Sequence, residues 1–377
     1  MMKNVKNFGL VFLAVLSVFG HLVPQVAFAQ ESKGIQDLEG FYIATEEIPE
    51  EAILHVQNFI GGMLNDLAIG GSLTVGMPFK LSGTSHDLYY FIVYSDDKIV
   101  GVYRVYETEV PSEYTGIFGE DTDIIDGLES IRQLTSFDKP ARIAAGNHDD
   151  IYAFIGSDIY PILEDFEGNK TDTNHLWNEL SARLDDPVVD VSQGIEFRIP
   201  IMSRSSSSKF LQIGWAETQG SLPWCMAYTT ASVVRFKTGK SLSSVNARKV
   251  MEASYPNLSK ANLEKQALST SKAEAYGKTH KLSPKYTTSR RTYAQIKTEI
   301  DKHDSPVIFI MDNLNTGAKR SHAFVARGYN DNNGKSFYSV WNPWYTKFER
   351  VYTSDNTYVN ASGSARYKWS ATMYNWR

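Results

Sequence analysis

The 377-residue chain contains a single cysteine, Cys225. One cysteine excludes a disulfide within the chain and leaves a free thiol to explain. Beyond one apolar run near its start, the sequence has no hydrophobic stretch approaching the ~20 residues that span a bilayer. It also lacks the compositional bias of disordered, collagen-like or coiled-coil proteins, since 42% of its residues are apolar and 21% charged. These absences indicate a globular protein, and its length predicts two domains.

The first 29 residues are predicted to be a secretory signal peptide. Lys3 and Lys6 precede a 13-residue apolar run at 8–20, and Ala27 and Ala29 supply the small residues that a signal peptidase requires. The run is too short to cross a bilayer as a helix. We therefore expect cleavage after Ala29, a secreted protein, and no membrane span once the signal has been removed.

Charge divides the rest of the chain into two parts. Residues 30–208 carry 11 Lys/Arg and 32 Asp/Glu, a net charge of −21, whereas residues 209–377 carry 25 and 11, a net charge of +14. The boundary falls in a Ser-rich segment, 203–209, whose composition is typical of a flexible linker that proteases reach easily. Opposite charges of this size favour association of the two parts.

Hydrophobic patterning predicts α+β structure in both parts. In the acidic part, residues 46–67 show helical spacing, and the β-rich runs within 88–106 are separated by a polar turn, which indicates a hairpin. In the basic part, helical patterns come first and apolar strands follow between 306 and 373. That order is typical of an α+β domain with segregated layers. We predict two α+β domains, one at 30–208 and a separate one at 209–377.

His148, Asp149 and Asp150 form a run of three metal-ligand residue types. No second cluster of ligands accompanies them in the sequence, so a loop that faces solvent is the better interpretation. We therefore expect no metal and no cofactor, and nothing in the sequence indicates a nucleic-acid partner.

The surroundings of Cys225 favour a nucleophile over an inert buried thiol. The cysteine follows Trp224 where a loop turns into a helical pattern, and a helix N-terminus stabilises the thiolate form. Six residues upstream, the side-chain amide of Gln219 can donate a hydrogen bond alongside the backbone N–H of Cys225. Two such donors would stabilise the oxyanion of a tetrahedral intermediate.

A thiolate nucleophile also needs an imidazole that accepts its proton and later protonates the leaving amine. His280 and His303 lie in polar sequence, whereas His322 opens an apolar strand, which is a rigid place for a base. Asn342 closes the next strand and is the candidate to accept the other N–H of the imidazole. Trp344 is expected to cover the His–Asn pair.

The order Gln, Cys six residues later, His, then Asn with Trp two residues further on is that of papain-like peptidases. Thr-Gln-Gly at 218–220, Trp-Cys at 224–225 and Tyr-Pro-Asn at 255–257 make the chain similar to the staphopains. These are secreted cysteine peptidases of Gram-positive bacteria, with a signal peptide, a pro-domain and a papain-like catalytic domain. The resemblance implies that division at 1–29, 30–208 and 209–377.

The resemblance also implies a monomeric endopeptidase that is made as a zymogen and acts on extracellular proteins or peptides. Cys225, His322 and Asn342 would form its triad, Gln219 its oxyanion hole, and Trp344 a supporting residue. The pro-domain would stay bound to the catalytic domain before maturation, and a proteinaceous inhibitor is a further conceivable partner. A cell-wall amidase, a peptidoglycan endopeptidase or a transamidase on a related fold remains an alternative, as does a non-catalytic protein with a decayed site.

Overall fold

The computed structural model describes residues 40–64, 73–84, 86–147, 149–164, 171–181, 183, 185–197, 207–315, 321–332 and 335–377. The predicted signal peptide, His148 and most of the Ser-rich segment lie outside the described residues. Among the residues described, no helix is long and apolar enough to cross a membrane.

The part of the chain before residue 207 alternates short strands with three helices in its described ranges. In chain order the elements are β1 Tyr42–Ala44, α1 Glu50–Leu64, β2 Leu73–Gly76, β3 Phe79–Lys80, β4 Leu88–Ser95, β5 Lys98–Glu107, β6 Tyr114–Gly119, α2 Thr122–Arg132, β7 Ala141–Ala145, β8 Ile151–Ile155, β9 Asp158–Leu163, α3 Thr173–Ser181, β10 Val188–Asp190 and β11 Gly194–Phe197. We call this part the N-terminal segment.

The predicted hairpin within residues 88–106 is confirmed as β4 and β5, which pair antiparallel. Every residue of β4 is buried, because the strand is covered on both faces. Tyr89 and Phe91 pack in the cluster that contains helix α1, whereas Tyr90 and Ile92 point to the opposite face and join the larger core. This alternation follows the two-residue period of a strand.

Helix α1 is shorter than the predicted range 46–67. It begins at Glu50, directly after Pro49, because proline disfavours helical backbone in the residue before it and suits a helix start. The second helix of this segment is α2, at Thr122–Arg132. Asp121 caps it by accepting hydrogen bonds from the N–H groups of Asp123 and Ile124.

The remainder of the chain places most of its helices before its long strands, as predicted. Its elements are β12 Ser207–Phe210, α4 Cys225–Thr238, α5 Ala247–Ser254, α6 Lys260–Glu264, α7 Thr270–Thr279, β13 Lys285–Thr287, α8 Tyr293–His303, β14 Val307–Asn313, β15 Ser321–Asn332, β16 Lys335–Trp341, β17 Phe348–Tyr352, β18 Thr357–Val359 and β19 Arg366–Tyr374. Helices α6 and α7 are separate, because Ser259 and Ser269 each cap a new helix with the side-chain oxygen.

One sheet runs through both parts of the chain. Its order is β11-β2-β4-β5-β6-β17-β16-β15-β14-β19-β13, and β6 pairs antiparallel with β17, so that Gly119 lies opposite Glu349. A smaller sheet of the order β10-β1-β7-β8-β9 belongs to the N-terminal segment alone. The N-terminal segment is therefore attached to the rest of the protein by strand pairing as well as by side chains.

Candidate active site

Cys225 is the first residue of helix α4, as predicted from the loop-to-helix pattern. The preceding Trp224 makes no side-chain capping hydrogen bond, so the first N–H groups of the helix are not occupied by a cap. The cysteine is partly exposed, and its Sγ lies 3.9 Å from the carbonyl oxygen of Ser321 on strand β15. The thiol is thus held between a helix start and the strand that carries His322.

His322, Asn342 and Trp344 come together behind this thiol. The imidazole Nε2 lies 2.9 Å from Oδ1 of Asn342, and the Trp344 ring stacks on the imidazole at a centroid distance of 3.8 Å. The same Asn342 oxygen accepts the backbone N–H of Trp344 at 3.1 Å. Since His322 and Asn342 are 3% and 0% exposed, the pair is shielded from water. Because Nε2 of His322 contacts Asn342, Nδ1 is the imidazole nitrogen that can accept the proton of the thiol.

A chain of buried hydrogen bonds continues from Asn342 into the N-terminal segment. Nδ2 of Asn342 donates to the hydroxyl of Tyr358 at 3.0 Å, and this hydroxyl donates to Oε2 of Glu349 at 2.8 Å. The other oxygen of Glu349 pairs with the guanidinium of Arg104 on β5. Glu349 and Arg104 are each 2% exposed. We call Tyr358, Glu349 and Arg104 the buried relay.

Gln219 lies in the loop before Cys225 and is 7% exposed. Its backbone N–H donates to the carbonyl of Pro343 at 2.8 Å, which ties this loop to the segment that carries Asn342. Its side-chain Nε2 donates to the carbonyl of Leu222 at 2.6 Å. One amide hydrogen is therefore used within the loop, and the second is the one left to reach an oxyanion.

These residues line one cleft with a cavity volume of about 1220 Å³. Cys225, His322, Gln219 and Trp344 all contribute to its wall, and Asp149 of the N-terminal segment contributes as well. The structure therefore brings the sequence-predicted groups to one place. No group of three or more His, Cys, Asp or Glu side chains is arranged to hold a metal ion in the part of the chain that the structure describes.

Burial changes the proton affinity of both reactive groups. It raises the pKa of the Cys225 thiol to about 11, while the N–H groups of Ala323, Met226 and Cys225 itself act in the opposite direction. Burial lowers the pKa of His322 to about 4, although the hydrogen bond to Asn342 acts to raise it. Both shifts favour a neutral thiol beside a neutral imidazole at neutral pH, rather than the reactive ion pair.

Two features of the site escaped sequence reasoning. The relay residues come from β5, β17 and β18, and the pairing of β6 with β17 helps to bring them together. The run His148-Asp149-Asp150 was expected to face solvent, which is wrong for the two described aspartates. Asp150 is fully buried and accepts from Thr171 and Tyr152, and Asp149 lies in the wall of the cleft.

Comparison with known proteins shows which family the part of the chain around the site resembles. A family model described as "Staphopain peptidase C47" matches residues 207–376. That segment is similar to the staphopain family. The staphopain-type segment is 25% identical over 163 residues to Staphopain A of Staphylococcus aureus, strain MRSA252, a match that covers 42% of this chain and 40% of that relative. An "Extracellular cysteine protease" of Staphylococcus epidermidis is 23% identical over 163 residues, with 42% and 90% covered.

The match spans about two fifths of the length of the Staphopain A relatives. A solved structure on the antibody cross-reactivity of the mite allergens Blo t 1 and Der p 1 is also similar, with a TM-score of 0.28, 12% identity, and 43% of this chain and 68% of that chain covered. That TM-score is too low to carry an argument. The resemblance to cysteine peptidases of the staphopain type is nevertheless confirmed, and so is the predicted α+β fold class. The boundaries at residues 29 and 208 stay a prediction.

Proposed function

We propose that the protein is a secreted cysteine endopeptidase, made as a zymogen, that hydrolyses peptide bonds of extracellular proteins. The observation that carries this proposal is the buried His322–Asn342 pair, stacked against Trp344 in the same cleft as the only thiol of the chain. Secretion is supported by the signal-peptide pattern at 1–29 and by a relative whose name describes it as extracellular.

The chemistry follows from the roles of the three side chains. His322 takes the proton of Cys225, and the thiolate attacks the peptide carbonyl carbon to form a tetrahedral oxyanion. Collapse of this intermediate breaks the C–N bond, and the imidazolium of His322 gives its proton to the leaving amine. Water, deprotonated by His322, then hydrolyses the thioester and restores the thiol. Asn342 holds the imidazole in the orientation that both proton transfers need.

Latency is supported by contacts between the N-terminal segment and the staphopain-type segment. Glu120 pairs with Arg350 at 3.0 Å, and Glu109 with Lys368 at 3.0 Å, in the sense expected from the opposite net charges. In the buried pair of Arg104 with Glu349, the basic residue lies in the N-terminal segment and the acidic residue in the rest of the chain. Net charge alone therefore does not describe the interface. We propose that these contacts and the strand pairing keep the N-terminal segment, which contributes Asp149 to the cleft wall, in place at the site. Its release after a cut near residues 203–209 would let water reach the cleft and favour the ion pair.

The pH dependence of alkylation tests this proposal. In the full-length chain, a thiol of pKa about 11 is ionised roughly 300-fold less at neutral pH than an ordinary thiol of pKa about 8.5. We expect iodoacetamide to modify Cys225 correspondingly slowly at pH 7, with a rate that rises through pH 10. Limited proteolysis in the linker is expected to shift fast modification to pH 6–7, where the ion pair forms. Fast modification of the uncut chain at pH 6 would contradict latency, and the C225A variant supplies the blank.

Substitution of Gln219 by alanine tests the oxyanion hole. Because the amide would act on charge that develops only in the transition state, we expect kcat to fall by roughly 10²–10³ with little change in KM. Steady-state kinetics on a peptide substrate after limited proteolysis measures both constants. A rise in KM at unchanged kcat would instead show that Gln219 only binds substrate.

The Y358F variant tests whether the buried relay positions the triad. Phenylalanine removes the hydroxyl that joins Asn342 to Glu349 and keeps the ring. Loss of one buried hydrogen bond that orients the base predicts a fall in kcat of roughly ten-fold at constant KM. In an N342A background the same change is expected to have no further effect, because the relay acts through Asn342. Additive losses in the double variant would contradict this role.

A further inference from the structure

A loop between β18 and β19 presents three side-chain donors to one carboxylate oxygen. Oδ1 of Asp149 accepts from the hydroxyl of Ser362 at 2.7 Å, from the hydroxyl of Ser364 at 2.9 Å, and from Nδ2 of Asn360. Asn360 and Ser362 are both fully buried. We call Asn360, Ser362 and Ser364 the carboxylate seat. Three donors on one oxygen make a strong site for an anion, since hydrogen bonds to a charged acceptor are roughly twice as strong as neutral ones.

The seat is held in shape by its own segment rather than by Asp149. Oδ1 of Asn360 accepts the backbone N–H of Ala365 at 3.0 Å, which directs the amide nitrogen toward the seat. The backbone N–H of Ser364 donates to the hydroxyl of Ser362 at 3.2 Å. Between them, Gly363 adopts a φ of +71°, a conformation that favours glycine. Donors fixed in this way keep their arrangement when the acceptor changes.

Asp149 is equally fixed from the side of the N-terminal segment. It lies in the connection from β7 to β8, where the backbone N–H of Gly146 donates to the carbonyl of Asp150 at 2.9 Å. The neighbouring Asp150 is anchored inward by Thr171 at 2.6 Å. The Asp149 carboxylate therefore reaches the seat from the connection between β7 and β8.

One residue of the carboxylate seat, Ser364, lies in the wall of the catalytic cleft, and the other two are buried behind it. Ser364 and Asp149 line the same cavity as Cys225. The loop is tied to the region of Trp344 as well, because the backbone N–H of Ala361 donates to the hydroxyl of Tyr345 at 3.1 Å. A peptide that occupies the cleft thus passes a preformed anion site on the Trp344 side.

We propose that the carboxylate seat is a substrate subsite that binds the side chain of an aspartate or glutamate, and that Asp149 occupies it in the latent chain. The role as a substrate subsite rests on the proposed peptidase function. The existence of the seat as an anion site does not depend on that function. Departure of the N-terminal segment removes Asp149 and leaves three oriented donors in the cleft. An acidic side chain of a bound peptide satisfies them, whereas an apolar one leaves buried donors without partners.

Thermal unfolding of the full chain with acetate as the probe tests the seat directly. The D149A variant removes the carboxylate, and we expect its Tm to fall by roughly 5 °C. Acetate at about 0.2 M is expected to restore roughly 2 °C by occupying the vacated seat, with chloride at equal ionic strength as the reference. The wild-type chain and D158A, which removes an exposed carboxylate on β9, are expected to show no such gain.

Two further variants separate a specific site from a general salt effect. Acetamide, which has the shape of acetate without its charge, is expected to leave D149A unchanged, and S362A in the D149A background is expected to abolish the acetate gain. If D149A does not fold, D149S is smaller than aspartate and polar, and it serves the same purpose. An absent acetate gain in D149A, or an equal gain in wild type and D158A, would overturn the seat.

A pair of peptide libraries tests the substrate role. After limited proteolysis in the linker, peptides that carry Glu at one position are expected to be cleaved with a kcat/KM roughly ten-fold higher than those with Gln, and S362A is expected to remove the preference. Equal rates for Glu and Gln at every position would overturn the substrate role. If no peptide of either library is cleaved, the proposed function fails, while the acetate experiment still decides the seat.

Discussion

Replacement of Cys225 by alanine is expected to abolish peptide hydrolysis, with a loss in kcat of roughly 10⁵–10⁶ that reaches the background rate. The sequence contains no other thiol that could take over the attack. Irreversible labelling by an epoxysuccinyl peptide, measured by mass spectrometry of the intact chain, is expected to disappear together with activity. Undiminished hydrolysis by C225A would end the cysteine-peptidase account.

Alanine variants of His322 and Asn342 measure how much each of these residues contributes to catalysis. H322A is expected to lose nearly as much as C225A, because it removes both proton transfers. N342A is expected to keep measurable activity, since it disturbs only the orientation of the imidazole. H303A is the matched control, because His303 contacts Arg377 and takes no part in the cleft. A lethal H303A together with an active H322A would show that the base has been assigned to the wrong histidine.

Replacement of Arg104 by methionine is expected to lower the free energy of unfolding of the full chain by about 3–5 kcal/mol. The substitution keeps an unbranched apolar stem but removes the guanidinium, which leaves the carboxylate of Glu349 buried without its charged partner. Burial already raises the pKa of Glu349 while Arg104 and Tyr358 lower it, so losing the guanidinium moves this pKa further upward. Urea unfolding at pH 7 measures the change as a lower midpoint.

The double variant R104M/E349Q separates charge from packing. Glutamine keeps an acceptor for Tyr358 but carries no charge, so most of the lost stability is expected to return. Lys139→Met is the surface control, because its pair with Asp158 is exposed on both sides, at 3.8 Å, and such pairs contribute about 0–1 kcal/mol. Equal losses for the Arg104 and Lys139 variants would contradict a buried ion pair.

Local patterns in the sequence were sufficient to choose the candidate reactive residues and to predict much of the secondary structure. A lone cysteine at a loop-to-helix step, a histidine at a strand start and an asparagine at the next strand end are short-range signals. The structure places Cys225 and His322 in one cleft and Asn342 next to His322, because β15 and β16 are adjacent and antiparallel and helix α4 begins beside them.

The sequence did not allow us to predict contacts between residues that are far apart along the chain. The distance along the chain from Arg104 to Glu349 is 245 residues, and no periodicity links β5 to β17. Asp149 was predicted to face solvent for the same reason, since its partners Ser362 and Ser364 lie more than 200 residues further along the chain. The positive net charge of residues 209–377 likewise gave no sign that a glutamate of this part would be buried against an arginine of the acidic part.

Parallel digestion of casein and purified peptidoglycan tests the central claim most directly. The full-length chain is first cut in its linker, and wild type, C225A and H303A are then incubated with each polymer and a thiol reductant. We predict that wild type and H303A release peptides with new amino termini from casein, that C225A releases none, and that peptidoglycan stays intact. Release of muropeptides without cleavage of casein, or equal casein cleavage by C225A, would contradict the account.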